Sequence, residues 1–330
     1  PHTSGSRQRL LNYLVEEDNC AACHNGNVAG KDVMTVFNQF SSHPIRDTHE
    51  VHDPAEPGTI ASRHVECADC HNPHAARAGS NAVTGPLLGV RGIDINGIEI
   101  DPIIETYQLC FRCHADSPGK PPAPTPRQIE QTNTRLEFRL TNPSFHPVAG
   151  PGRNPDVPSL ISPLSPVSTI GCADCHNSNA APSVGGSGAE GPHGSAFDTI
   201  LVRQYLTIDN TPESPSNYAL CYSCHDRNSI LGDQSFSLHN QHIVEERTPC
   251  NVCHDPHGIS STQGNSINST HLINFDISVV SPAMGQMGGL QFTDNGRFAG
   301  SCTLNCHGRQ HINLSYPGGG GPGSGGTGGG

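Results

Sequence analysis

Cys20-Ala-Ala-Cys23-His24 is the first of seven short motifs in which a pair of cysteines is followed at once by a histidine. Five more keep its spacing: Cys67, Cys70 and His71; Cys110, Cys113 and His114; Cys172, Cys175 and His176; Cys221, Cys224 and His225; Cys250, Cys253 and His254. The seventh, Cys302-Thr-Leu-Asn-Cys306-His307, is one residue wider. In C-x-x-C-H the two thiols form thioethers to the vinyl groups of one haem, and the adjacent imidazole binds its iron. The 14 cysteines make two per motif with none left over. Paired Cys-x-x-Cys also builds tetrahedral zinc sites, but zinc does not require a histidine directly after every second cysteine. Seven haem c groups are therefore expected, with His24, His71, His114, His176, His225, His254 and His307 as proximal iron ligands.

That load decides what the chain can fold into. The 330 residues include no Trp, only 5% aromatic residues, and 37 Gly with 28 Pro. Such a chain has too little bulky apolar material for an ordinary core of its length. The haem faces must supply much of the buried apolar surface. The expected fold is mostly irregular and haem-packed, with short helices, a few small β-hairpins and no conventional hydrophobic core. Without haem the chain should be largely unfolded. The net charge of −12 argues against nucleic acid as a partner. No apolar run approaches the length of a membrane span.

Internal repetition sets the organisation. Cys67-Ala-Asp-Cys70-His71-Asn72 recurs as Cys172-Ala-Asp-Cys175-His176-Asn177, and Pro73-His74 recurs after the sixth motif as Pro256-His257. Tyr107-Gln-Leu-Cys110 is echoed by Tyr218-Ala-Leu-Cys221. Each copy opens with a histidine two residues before Ile or Val: His43, His146 and His242. The plan is a single-haem segment 1–39, two-haem units 40–143, 144–235 and 236–316, and a Gly-rich tail 317–330. Ile93–Ile100 alternates around Asn96-Gly97, a type I′ hairpin signal, and Gln291–Phe298 repeats it around Asn295-Gly296. Ile200–Ile208 reads as a strand. Residues 6–18 and 103–109 read as short helices leading into motifs, and the Pro-rich stretches 117–126 and 147–168 as extended connectors.

A six-coordinate iron needs one further ligand per haem. Thirteen histidines remain after the seven in the motifs, against three methionines, so bis-histidine ligation is favoured. It implies low reduction potentials, because Met raises the potential. Position in the repeats selects His43 with His74, His146 with His193, and His242 with His257 as distal ligands. His193 stands after an inserted stretch, Ser178–Gly191, but Pro192-His193-Gly194 keeps the local pattern. For the N-terminal haem the pool is His2, His49, His52, His64, His239, His271 and His311, with His2 and His239 leading. His239 precedes His242 by three residues, so one helical turn can aim both at adjacent irons.

The series His43-x-Ile, Cys67–His74 and Leu109–His114 resembles the doubled C-x-x-C-H cytochromes. More narrowly, residues 40–311 are similar to the outer-surface multihaem cytochromes of metal-reducing bacteria that polymerise into conductive filaments. The opening Pro1-His2-Thr-Ser-Gly is similar to the His-Ser-Gly start of one such filament protein. The wide seventh motif and the insertion before His193 depart from the pattern. The resemblance implies extracellular electron transfer, with identical subunits joined head to tail, cytochromes as upstream donors and an external acceptor such as metal oxide. A chain that begins at Pro1 and bears no N-terminal cysteine is expected to be exported, extracellular or at the cell surface, with the periplasm as the alternative. A tail with ten glycines should be a coil unless its backbone docks on a neighbour. A head-to-tail contact that does not close would then give a filament. The competing readings are a monomeric periplasmic shuttle and a multihaem reductase of a nitrogen or sulfur oxyanion with one open haem. Lys31 and Lys120 do not follow a cysteine, so neither marks such a haem.

Overall fold

The computed structural model describes residues 8–47, 51–53, 55–60, 63–77, 83, 85–286 and 289–316. Expectations placed on His2, on His49 and on the tail 317–330 lie outside the described residues. By internal contact the chain forms two compact units. One holds 1–122, 132–135 and 170–204; the other holds 123–131, 136–169 and 205–330. The first therefore gathers the motifs at Cys20, Cys67, Cys110 and Cys172, and the second those at Cys221, Cys250 and Cys302. The boundaries of the sequence repeats follow copies of a pattern, whereas these units follow contacts, so the middle repeat 144–235 is shared between the two.

Regular structure is scarce, as composition predicts. The helices are mostly single turns, and three of them coincide with motifs: Cys67–Cys70, Cys172–Cys175 and Cys250–Cys253. The helices Glu16–His24 and Tyr107–His114 contain their motifs rather than leading into them. The Pro-rich connectors carry no helix and no strand. Ile200–Ile208 is not a strand: Thr199 and Ile200 take positive φ, and Leu201 keeps only one bridge, to His176.

Both hairpins form, with wider turns than a two-residue type I′. Gly92–Ile93 pairs antiparallel with Glu99–Ile100. The Asp94 carboxylate accepts the N–H groups of Asn96 (2.9 Å) and Ile98 (2.7 Å), and Gly97 alone takes the left-handed turn position at φ 85°. An aspartate that collects turn N–H groups competes with the tight turn. Likewise Gln291–Asp294 pairs with Gly300–Cys306 across residues 295–299.

Two further pairings recur between repeats. Ser41–Ser42 pairs with Gly194–Ser195, and Ser144–Phe145 pairs with Gly258–Ile259. In each case the strand before an opening histidine joins the strand after the Pro-His of the next repeat. Buried apolar residues form small clusters instead of one core. In the second unit Val252, Phe275, Val280, Phe292 and Leu304 pack together, with Cys253, Cys302 and Cys306 against them. In the first, Val83, Val90 and Ile103 do so with Leu87 and Leu109. At about 1.5–3 kcal/mol per buried large apolar side chain, clusters this small leave much stabilisation to the cofactors.

Candidate functional site

In four motifs the peptide geometry is the same. The histidine N–H closes one helical turn on the carbonyl of the first cysteine: His71 on Cys67 (3.0 Å), His176 on Cys172 (2.8 Å), His225 on Cys221 (3.0 Å) and His254 on Cys250 (2.9 Å). This turn holds the two sulfurs on one side, with i and i+3 about 5–6 Å apart. The sequence Cys-Ala-Asp-Cys adds its own start signal, missed in the sequence reading. Asp69 accepts the Glu66 N–H at 2.8 Å and Asp174 accepts the Gly171 N–H at 2.7 Å, capping orphan donors at the helix start.

The imidazoles are oriented by backbone carbonyls. His71 Nδ1 donates to Pro86 O (3.0 Å), His176 to Thr199 O (2.8 Å) and His254 to His271 O (2.9 Å). His43 donates to Pro192 O (2.6 Å), His242 to Leu238 O (2.8 Å) and His146 to Pro256 O. A carbonyl only accepts, so Nδ1 carries the proton in each and Nε2 keeps its lone pair for a metal. His225 Nδ1 lies 2.9 Å from Ser159 Oγ.

Among the described residues, five pairs of histidine rings then stand at nearly one separation. The centroid distances are 6.0 Å for His71 with His193, 6.2 Å for His43 with His114, and 6.5 Å for His146 with His225. They are 6.5 Å for His239 with His254 and 6.4 Å for His242 with His311. Two imidazoles bound to opposite sides of one metal through bonds of about 2 Å, with ring centres about 1 Å behind each nitrogen, stand about 6 Å apart. Burial favours the neutral, ligating form of several of these rings. It pushes His193, His225 and His254 down to about 4 and His239 to about 3, helped by neighbouring histidines, and it also lowers His43, His146 and His311.

The partner choices differ in part from those read along the chain. The opening histidines His43 and His146 face the second motif histidine of their own repeat. His193 instead faces His71 of the preceding repeat, carried there by the pairing of Ser41–Ser42 with Gly194–Ser195. His239, a candidate for the N-terminal haem, faces His254. His257 sits with Nδ1 3.2 Å from the buried Glu137 carboxylate, while His74 is exposed, as is His24. Other members of the candidate pool are engaged with acids: His52 with Asp69 (3.1 Å), His64 with Glu56 (3.2 Å) and His271 with Asp294 (3.4 Å). Around Asp69, His52 and His64 form a network with the buried Glu66 and Arg112. Burial and the nearby Glu16 and Asp69 push the Glu66 carboxyl up to about 7.

Sulfurs of successive motifs meet. Cys20 hydrogen-bonds Cys67, Cys110 hydrogen-bonds Cys172, and Cys221 hydrogen-bonds Cys250. Cys70 lies within electrostatic reach of Cys113, and Cys253 within reach of Cys302 and Cys306. These thiols stand where thioether sulfurs would be in a loaded protein. The four regular motifs that end in His71, His176, His225 and His254, with their helical turns and oriented imidazoles, fit covalent haem. The seventh is built differently: Cys302 and Cys306 lie on the strand Gly300–Cys306, where residues four apart are separated by about 13 Å.

No characterised protein and no solved structure matches the chain. Residues 165–229, which contain the Cys172 and Cys221 motifs, match the doubled CXXCH motif family. That match and the repeated motif support a multihaem c-type cytochrome that binds haem c and transfers electrons.

Proposed function

We propose that the chain conducts electrons along seven covalently bound haems, most of them held between two histidines, as part of a path to an acceptor outside the cell. The five facing histidine pairs carry this reading. The thioether positions are the fourteen cysteines, from Cys20 and Cys23 to Cys302 and Cys306. The proximal ligands are the motif histidines. His43, His146, His193 and His239 supply distal ligands at His114, His225, His71 and His254. His74, His257 and His2 remain the candidates for the other irons. Bound haem supplies one-electron iron chemistry. The protein's part is to orient Nε2 through carbonyl hydrogen bonds, to exclude water, and to bring porphyrin edges together where sulfurs of successive motifs touch. Iron with two strong ligands has no position for a substrate, which favours transfer over a reductase.

The resemblance to outer-surface cytochromes further supports export and head-to-tail assembly of identical subunits into a filament, with cytochromes as donors and metal oxide as an acceptor. Mass spectrometry of the denatured holoprotein should exceed the polypeptide mass by seven haems, and electron paramagnetic resonance should show low-spin iron throughout. A dominant high-spin signal, or carbon monoxide binding by the ferrous protein, would overturn the bis-histidine reading. Negative-stain microscopy at micromolar concentration should show filaments; isolated monomers or closed dimers would remove the assembly and leave the shuttle.

A further inference from the structure

The pair His146 and His225 is set apart by what each ring holds behind it. His146 Nδ1 donates to Pro256 O, and His225 Nδ1 lies 2.9 Å from Ser159 Oγ. In two other pairs only the motif ring is supported. His71 Nδ1 donates to Pro86 O at 3.0 Å, and His254 Nδ1 donates to His271 O at 2.9 Å. The rings opposite them, His193 and His239, keep a buried Nδ1 with no hydrogen-bond partner among the described residues.

Ser159 is brought to His225 by the backbone on both sides of it. Asp226 N donates to Ser159 O at 2.6 Å and Ile161 N donates to Cys224 O at 3.0 Å. Between them Leu160 makes an antiparallel bridge with His225. The stretch 159–161 therefore runs along the end of the motif, and the buried Ser159 presents its hydroxyl to the ring. By composition this stretch, within 147–168, reads only as an extended connector.

A serine hydroxyl can donate or accept. With Nε2 on iron, Nδ1 of His225 keeps its proton, so Nδ1 donates and Ser159 Oγ accepts. A hydrogen bond given by Nδ1 makes an imidazole a more basic ligand. A more basic ligand stabilises ferric over ferrous iron, and hydrogen bonding around the ligands is one of the levers that set a haem potential. Iron between two supported rings is therefore harder to reduce than iron with one supported ring.

We propose that Ser159 is a positioning residue that acts through His225 to hold the haem at Cys221 and Cys224 at a lower potential than the haems at His71 and His254. That haem is then the last of the three to fill on reduction and the first to empty. This rests on the bis-histidine reading above. The test is stepwise redox titration of the holoprotein followed by haem absorbance, with haem count by mass and the low-spin signal as companion readouts. Ser159→Ala should move one redox step of the seven to higher potential and leave haem count and low-spin signal unchanged. Ser159→Thr keeps the hydroxyl and should keep the wild-type titration. Ser159→Val matches Ser159→Thr in volume without the hydroxyl and should repeat the rise, so the comparison survives if Ser159→Ala does not accumulate. Titrations of Ser159→Ala and Ser159→Val that superimpose on the wild type, or a step that moves down, would overturn the proposal. So would a haem turned high-spin, since the hydroxyl would then hold the ring on the iron instead of tuning it. High-spin iron in the wild type would remove the bis-histidine reading and this proposal with it, whereas unmoved titrations in low-spin variants remove only the role of Ser159.

Discussion

Asp69 and Asp174 occupy the same place in identical Cys-Ala-Asp-Cys motifs, and the structure predicts that their removal differs severalfold in cost. Asp174 is exposed and accepts one N–H, from Gly171 at 2.7 Å. Its replacement by Ala loses a helix-start hydrogen bond, about 1 kcal/mol. Asp69 accepts the equivalent bond from Glu66 at 2.8 Å, but its side chain is only 5% exposed and also faces His52 at 3.1 Å, His64 at 3.9 Å and Arg112 at 3.9 Å. Asp69→Ala leaves the buried Arg112 guanidinium with Glu56, at 3.6 Å, as its carboxylate and takes the acid at 3.1 Å away from His52. Removing one member of a buried charge pair costs about 3–5 kcal/mol. Relief of repulsion on Glu66 offsets part, so the expected loss lies near the lower end, about 3 kcal/mol with the cap included. Both variants keep every cysteine and histidine, so haem count serves as the control. Guanidinium unfolding at pH 7, followed by far-ultraviolet circular dichroism, gives the two losses. Equal losses within about 0.5 kcal/mol would refute the claim that the Asp69 network holds charge in a low-dielectric setting.

Three other outcomes follow from single residues. Glu66→Gln should stabilise the protein at pH 8 and not at pH 4. A carboxyl raised to about 7 in the fold binds its proton more tightly there than in the unfolded chain, so its penalty appears as pH rises through that value; thermal midpoints at the two pH values check the sign. Gly258→Ala should lower the midpoint far more than Gly296→Ala. Both glycines have positive φ, but a Cβ at Gly258 would meet Glu137 O at 2.4 Å and Phe145 Cα at 2.8 Å, whereas Gly296 has open space. His146→Ala should convert one haem in seven to high spin, while Asn96→Ala, on an exposed turn, should leave the spectrum unchanged.

What could be read from the chain was the chemistry that is contiguous in it. The thioether pairs, the adjacent histidines and the scarcity of helix and strand follow from local spacing and from a composition poor in aromatics. The opening histidines were legible because they recur at a fixed place. Partner choice was not. His193 reaches His71 because a two-residue strand near residue 41 pairs with one near residue 194, and nothing in either dipeptide announces that pairing. The turns at Asn96-Gly97 and Asn295-Gly296 were located correctly but drawn too tight. In the first, the Asp94 carboxylate accepts the N–H groups of Asn96 and Ile98 and so widens the loop. The strand under Cys302–Cys306 was not read from the sequence, although an even spacing of cysteines is itself a strand signal.

The pairing of each opening segment with the Pro-His strand of the following repeat bears on how such a protein can be made and shortened. If His193 completes the iron at His71, the second haem waits for a ligand that lies over a hundred residues further along. A chain exported from its N-terminus would hold that iron open until the later segment arrived, so maturation has an order that no single repeat can complete alone. Trimming the chain behind Cys113 would not yield a smaller conductor. It would expose an unfinished iron in the part that remained, and gain or loss of whole repeats over evolution must carry the same debt across the junction.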